Sequence, residues 1–321
     1  MRTIALEEHF LTGELAHYSD ATRELAQPQV WQACDSRLTD LAEQRLADMD
    51  AAGVDIAVLS LTAPGIQAEP DRQVAVARAA EVNDFVAGLV AANPTRYRGF
   101  AALPLQNPDA AARELERAVG QLGLCGAMVN AHTFGVYLDA PPLRTVWERA
   151  EGLDIPLYLH PANGFDTPHI IAGHPELVGP MWSWGTDTAT HALRLIFGGV
   201  FDDFPAAKLL LGHMGESLPY SLWRLDSRWD WHRHHGIDLE LGNPSEYLRR
   251  NLYVTTSGVC DDAPLLCALS ALGSEHVLFA TDYPYEDIDT ATAFLADAPV
   301  SDADRAKISH LNAERLLHID P

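Results

Sequence analysis

The chain has 321 residues, 47% of them hydrophobic, enough to bury a full core and too apolar for a disordered segment. Its 45 acids against 22 bases give a net charge of −23, which excludes nucleic acid and anionic membrane surfaces as partners, since both are bound by neutralising phosphates. No apolar run approaches about 18 residues, so no membrane span is expected, and the opening Met1-Arg2-Thr3-Ile4, soon followed by acids, lacks a secretory pattern, so a cytoplasmic protein is expected.

Short β-type runs alternate with helical ones along the whole chain. Strands are expected at Thr3–Leu6, Val54–Ser60, Arg98–Leu103, Cys125–Asn130, Ile155–His160, Lys208–Leu211, Leu252–Thr256 and His276–Thr281. Helices are expected at Leu41–Ala52, Asp71–Ala92, Pro108–Leu122, Leu143–Glu151, Asp187–Phe197, Leu218–Trp231, Ala263–Leu272, Asp289–Ala296 and Asp302–Leu317. Near-continuous apolar strands read as a parallel sheet buried on both faces. Eight such βα units point to an α/β fold of the (β/α)8 TIM-barrel type. A doubly wound sheet is disfavoured, because no glycine-rich phosphate loop follows the first strand. With no repeat, low-complexity tract or linker, residues 1–321 are expected to form one domain. Four cysteines (Cys34, Cys125, Cys260 and Cys267) make no C-x-x-C pattern and read as reduced thiols.

Two connections are long, Leu11–Leu38 after strand 1 and Pro161–Thr186 after strand 5. Both leave the carboxyl ends of strands, where barrel active sites lie. Phe10, Tyr18, Trp31, Phe165, Trp182 and Trp184 are available there to wall a pocket or simply to cap the barrel.

Four strands end in metal-capable side chains. Strand 1 ends in Glu7 and His9, which alternation places on the same side. Strand 5 ends at His160, strand 6 at His213 with Glu216 three residues on, and strand 8 at Asp282. Closure sets strands 1 and 8 side by side, so Glu7, His9, His160 and Asp282 suit one divalent ion. Mixed nitrogen and oxygen donors fit Zn²⁺ or Mn²⁺. A second metal is not expected, because neither lysine (Lys208 or Lys307) is near strand 4 to bridge it. Glu216 is placed to hold His213 in one tautomer, making His213 an acid/base or substrate hydrogen-bonding group beside the metal rather than a ligand. Arg224, in an apolar stretch of the next helix, needs an anion: Asp226 or Asp282 on the structural reading, a substrate carboxylate on the functional one. The run Trp229-Asp230-Trp231-His232-Arg233-His234-His235 reads as an exposed helix end or subunit contact.

Several motifs together resemble the amidohydrolase-superfamily decarboxylases: Ala5-Leu6-Glu7-Glu8-His9-Phe10, Ala63-Pro64-Gly65-Ile66-Gln67, Leu159-His160-Pro161, Gly212-His213-Met214-Gly215-Glu216, Thr255-Thr256-Ser257-Gly258 and Thr281-Asp282-Tyr283-Pro284-Tyr285-Glu286. Within that family the likeness is to the gamma-resorcylate (2,6-dihydroxybenzoate) type, with the 2,3-dihydroxybenzoate and salicylate types close behind. It runs almost end to end, through Asn312-Ala313-Glu314-Arg315-Leu316. The resemblance implies a single-metal barrel that removes CO₂ from an ortho-hydroxybenzoate without an organic cofactor, as a homodimer or homotetramer. It implies metal ligands at Glu7, His9, His160 and Asp282, catalytic roles for Asp282, His213 and Glu216, and substrate contacts from Arg224 and Asn130. The chain departs from the pattern in a shorter Ala131–Pro142, in Tyr283-Pro284-Tyr285-Glu286 where Trp-Pro-Phe-Glu is usual, and in Asp289 where Asn is usual. An alternative function with the same ligands is metal-dependent hydrolysis of a lactone, an amide or an aromatic ring-cleavage product.

Overall fold

The computed structural model describes residues 1–23, 28–236 and 239–320. Nine short strands run in parallel order: β1 (Ile4–Phe10), β2 (Ile56–Leu61) and β3 (Tyr97–Gly99) in one ladder, and β4 (Ala101–Ala102), β5 (Ala127–Asn130), β6 (Pro156–His160), β7 (Lys208–Leu211), β8 (Leu252–Thr255) and β9 (Val277–Leu278) in a second. β3 and β4 are one barrel strand interrupted at Phe100. The Phe100 N–H still reaches the Leu59 carbonyl at 2.9 Å, and the Ala101 N–H reaches Gly126 at 2.9 Å. The ring closes between β1 and the residues after β9, where Leu6 bridges Ala280 and the Leu6 N–H donates to the Phe279 carbonyl at 3.1 Å. The eight-stranded barrel expected from the sequence is therefore present.

Its inner core is a packed column of Ile4, Leu6, Ile56, Val58, Phe100, Met128 and Tyr158. Leu316 and Ile319 join it at the amino-terminal end of the strands, where Glu314 accepts from Arg2 at 2.5 Å. With that end plugged, a ligand can enter only at the carboxyl ends. The larger outer core lies between strands and helices, around Tyr97, Trp147 and Phe201. Burying each of these rings contributes on the order of 1.5–3 kcal/mol.

Several helix ends carry side-chain or glycine caps. Asp71 accepts from the Gln73 and Val74 N–H groups, Asn107 accepts from Ala110 with Pro108 next to it, and left-handed Gly53 ends Glu43–Ala52. Three elements differ from expectation. The long connection after β1 contains a helix, Pro28–Thr39, whose narrow stripe of Trp31, Cys34 and Leu38 escapes an apolar-periodicity search. A further helix, Pro244–Asn251, precedes β8. The expected Asp302–Leu317 helix contains a wide turn at Lys307–Leu311, where the Ile308 carbonyl accepts from the Phe279 N–H at 3.0 Å. Among the described residues no helix is long and apolar enough to cross a membrane.

Candidate active site

At the carboxyl end of β1 the register slips. Ala5 faces Ala57 and Glu8 faces Leu59, so three steps on β1 oppose two on β2. Glu7 takes up the extra residue with a left-handed φ of 62°. Ile4 and Leu6 point into the barrel, so simple alternation would turn Glu7 outward with Ala5. The bulge turns Glu7 inward, carries His9 with it, and leaves Glu8 in the wall. Alternation thus pairs Glu7 with His9 correctly, but the bulge decides which face they share.

The other corners come from the ends of β6, β7 and β9. His160 closes β6 beside Asn130. Asp282 follows β9 with a φ of 60°. His213, Met214, Glu216 and Ser217, after β7, all have positive φ. Six of the ten non-glycine residues with positive φ among the described residues lie in this ring, the local concentration of strain expected of a functional site.

One donor atom from each of Glu7, His9, His160 and Asp282 lies within 4.8 Å of the others, and all four residues are buried. His9 Nε2 is 3.2 Å from Asp282 Oδ1, and His160 Nε2 is 3.3 Å from Glu7 Oε1. Ser60 Oγ engages His9 Nδ1 at 3.2 Å, which leaves Nε2 aimed inward. Glu7 Oε1, His9 Nε2 and Asp282 Oδ1 are buried without a hydrogen-bond partner. Converging lone pairs left unsatisfied in this way fit a divalent cation.

His213 lies beside the four rather than among them. Its Nε2 is 3.6 Å from Asp282 Oδ2 and 3.8 Å from Glu7 Oε1, and its Nδ1 is 2.9 Å from Glu216 Oε1. Burial disfavours its charged form, but Glu7 and Glu216 outweigh that and hold the imidazole well above its usual range. Burial, then His9, keeps His160 well below its usual range, so its lone pair is free. Burial pushes the Glu7 carboxyl up. Burial acts the same way on Asp282, but the nearby His213 and His9 rings bring that carboxyl below its ordinary value. The two shifts run in the directions that favour a proton on His213 over one on Asp282.

A cavity of about 950 Å³ opens onto His160, His213 and Asp282. Trp31, Trp182, Trp184 and Tyr285 wall it, and Tyr285 Oη meets Thr62 Oγ1 at 2.6 Å. Phe10 is fully buried against Phe85 in the outer core, Tyr18 donates to Glu69, and Phe165 is exposed near His132, so these three form no part of the wall. Asn130 is buried next to His160, with Nδ2 3.5 Å from the Leu61 carbonyl and Oδ1 unpartnered.

Arg224 is not brought to the cluster. It is exposed on helix Leu218–His234 without an ion pair among the described residues, whereas Asp226, one of its expected partners, binds Ser245 at 2.6 Å. No arginine or lysine lines the cavity among the described residues. Tyr158, Thr255 and Ser257 escaped the sequence reading as contributors. They lie beneath Glu7, and the only signal was their place next to motifs already noted.

A sequence model of the amidohydrolase family matches residues 16–319. The gamma-resorcylate decarboxylase of Polaromonas sp. (strain JS666) is 42% identical over 99% of this chain and 98% of its own length. A dihydroxybenzoic acid decarboxylase structure from Polaromonas sp. JS666, with bound manganese and the inhibitor 2-nitroresorcinol, superposes with a TM-score of 0.93 at 42% identity, covering 100% of this chain and 98% of that one. A 2,6-dihydroxybenzoate decarboxylase in complex with 2,6-dihydroxybenzoate gives 0.92 at 40% identity, covering 99% and 100%.

Proposed function

The chain belongs to the amidohydrolase family, and on that premise we propose that it removes CO₂ from an ortho-hydroxybenzoate, a carboxy-lyase reaction on a small aromatic acid. The observation that carries this reading is the buried quartet of Glu7, His9, His160 and Asp282, with unpaired lone pairs at the floor of an aromatic-walled cavity and His213 beside it.

Glu7, His9, His160 and Asp282 would hold one Mn²⁺ or Zn²⁺, which when bound supplies positive charge against the substrate carboxylate and its ortho oxygen. The chain's own groups handle the proton. Glu216 fixes His213 through Nδ1, so Nε2–H is directed at Asp282 Oδ2, 3.6 Å away. His213 is the proton reservoir and Asp282 the group that delivers the proton to the ring carbon bearing the carboxylate. That carbon becomes tetrahedral and the ring loses aromaticity. The bond to the carboxylate then breaks, CO₂ leaves, the electron pair returns to the ring, and aromaticity is restored. Trp31, Trp184 and Tyr285 exclude water from the ring's faces, and we assign Asn130, buried beside His160 at the end of β5, a substrate contact.

Arg224 enters the proposal through assembly. It lies one turn from cavity-lining Ser221 and beside Tyr220 and Trp223, which are 85% and 78% exposed. We assign it to the substrate carboxylate of a neighbouring protomer in a homodimer or homotetramer. A cavity wall without arginine or lysine among the described residues and this exposed aromatic surface support that assignment.

The test is CO₂ release from a panel of hydroxybenzoates by Mn²⁺- and Zn²⁺-loaded protein, run against ring opening of a lactone panel. Asp282→Asn should lower kcat roughly 10²–10⁴-fold in a folded protein. Turnover of that variant close to wild type would remove Asp282 as proton donor, and lactone hydrolysis without CO₂ release would sink the decarboxylase reading.

A further inference from the structure

Glu7 shows one carboxylate oxygen, Oε1, to His160 and His213. The other, Oε2, accepts the hydroxyl proton of Tyr158. Tyr158 is fully buried two residues before His160 on β6, its ring 5.8 Å from Phe100. Tyr158 Oη lies 2.9 Å from Thr255 Oγ1, Thr255 Oγ1 lies 3.0 Å from Ser257 Oγ, and Ser257 Oγ accepts the His213 N–H at 3.0 Å.

The two ends of this chain have fixed roles. An ionised carboxylate only accepts and a backbone N–H only donates. So His213 donates to Ser257 and Tyr158 donates to Glu7, while the Thr255 hydroxyl between them lies 2.9 Å from Tyr158 Oη and also donates to Glu7 Oε2 at 3.4 Å. Thr255 and Ser257 are as buried as Tyr158. Hydrogen bonds linked through a buried medium polarise one another. Gly212 closes the remaining side, where a Cβ would stand 2.8 Å from Glu7 Oε2 and 2.9 Å from Ser257 Oγ.

We propose that Tyr158 is a positioning residue for the metal site: it saturates Glu7 Oε2, so that Oε1 alone faces His9, His160 and Asp282. Thr255 and Ser257 hold the Tyr158 hydroxyl in that pose and tie the metal carboxylate to the backbone of His213. This rests on the metal reading above and adds to it a group that touches neither metal nor substrate.

The experiment strips the protein of metal and titrates it with Mn²⁺, following the free ion by electron paramagnetic resonance, with circular dichroism as the folding control. Tyr158→Phe removes only the hydroxyl and should raise the Mn²⁺ Kd about 10- to 100-fold, the usual cost of losing an outer-shell partner. Thr255→Val removes the hydroxyl that supports Tyr158 and makes only a long 3.4 Å contact with Glu7 itself, and should give a smaller rise in the same direction. A Tyr158→Phe Kd equal to wild type in folded protein overturns the proposal. If Tyr158→Phe does not fold, Thr255→Val carries the test, and an unchanged Kd there overturns it. Wild-type protein that binds neither Mn²⁺ nor Zn²⁺ overturns the metal reading and this assignment together, whereas equal Kd values in metal-binding proteins overturn this assignment alone.

Discussion

Glu7 and Glu8 are adjacent and fully buried, yet they face opposite sides of the barrel wall. Glu7 points inward with Oε1 unpartnered. Glu8 points outward, where both of its oxygens accept from the Thr281 hydroxyl at 2.8 and 2.9 Å and one also accepts the Thr281 N–H at 3.2 Å. Burial pushes its carboxyl up to about 8. Arg45 stands near it, donating to the His9 carbonyl and stacking 4.3 Å over Tyr283. Histidines divide in the same way. His160 faces the metal quartet, while His191, equally inaccessible in the outer layer, accepts the Leu138 N–H at 2.8 Å. Residue type and burial are alike on the two faces. The difference is that the inner lone pairs converge without partners, whereas Glu8 is engaged by the hydroxyl and N–H of Thr281 and His191 by the N–H of Leu138.

The comparison breaks most sharply at Glu7. Glu7→Gln keeps the volume and removes the charge, so Mn²⁺ affinity should fall by more than the roughly 10- to 100-fold typical of an outer-shell change, and CO₂ release should fall with it. Tight Mn²⁺ binding by that variant would contradict the inner-face assignment. Glu8→Ala should act on the fold instead. It leaves the Thr281 N–H and hydroxyl buried without their acceptor, at a cost of about 1–3 kcal/mol in urea unfolding, with the Mn²⁺ Kd close to wild type. A Kd raised as far as in Glu7→Gln would show that the two faces do not act separately.

Much of the inner face is legible in the sequence, because a barrel makes strand ends neighbours. Once the eight units are counted, the strand ends that carry Glu7, His9, His160 and Asp282 share one rim, and His213 with Glu216 follows from a three-residue spacing. Three features are not legible, each for a physical reason. The bulge at Glu7 is a one-residue register slip against β2, and register is a pairwise property that no single strand displays. Tyr158 reads as one more apolar residue of β6, since its hydroxyl matters only where the end of β1 lies across the barrel from it. Arg224 sits in an apolar stretch that reads as buried, but Tyr220 and Trp223 around it are exposed, so this helix face points away from its own core. Local apolarity cannot tell a core face from an exposed one.

The smallest expected effect tests the outer histidine by pH. Burial, with Arg194 and His132 nearby, lowers His191 from 6.5 to about 3. The native state therefore holds the ring neutral, and its contribution to stability is complete above 6.5. Below that, the unfolded chain binds a proton that the folded one refuses, so the contribution declines as pH falls towards 3. Between about pH 7 and about pH 5.5 this linkage amounts to about 1 kcal/mol. His191→Gln does not titrate, so its urea midpoint should fall less than that of wild type over the same interval. The metal quartet is untouched by the substitution, so metal-free wild type and variant share every other titration and differ only at this ring. Parallel losses in the two proteins would mean that the folded state accepts a proton on His191, and the neutral, backbone-engaged role given to it here would fail.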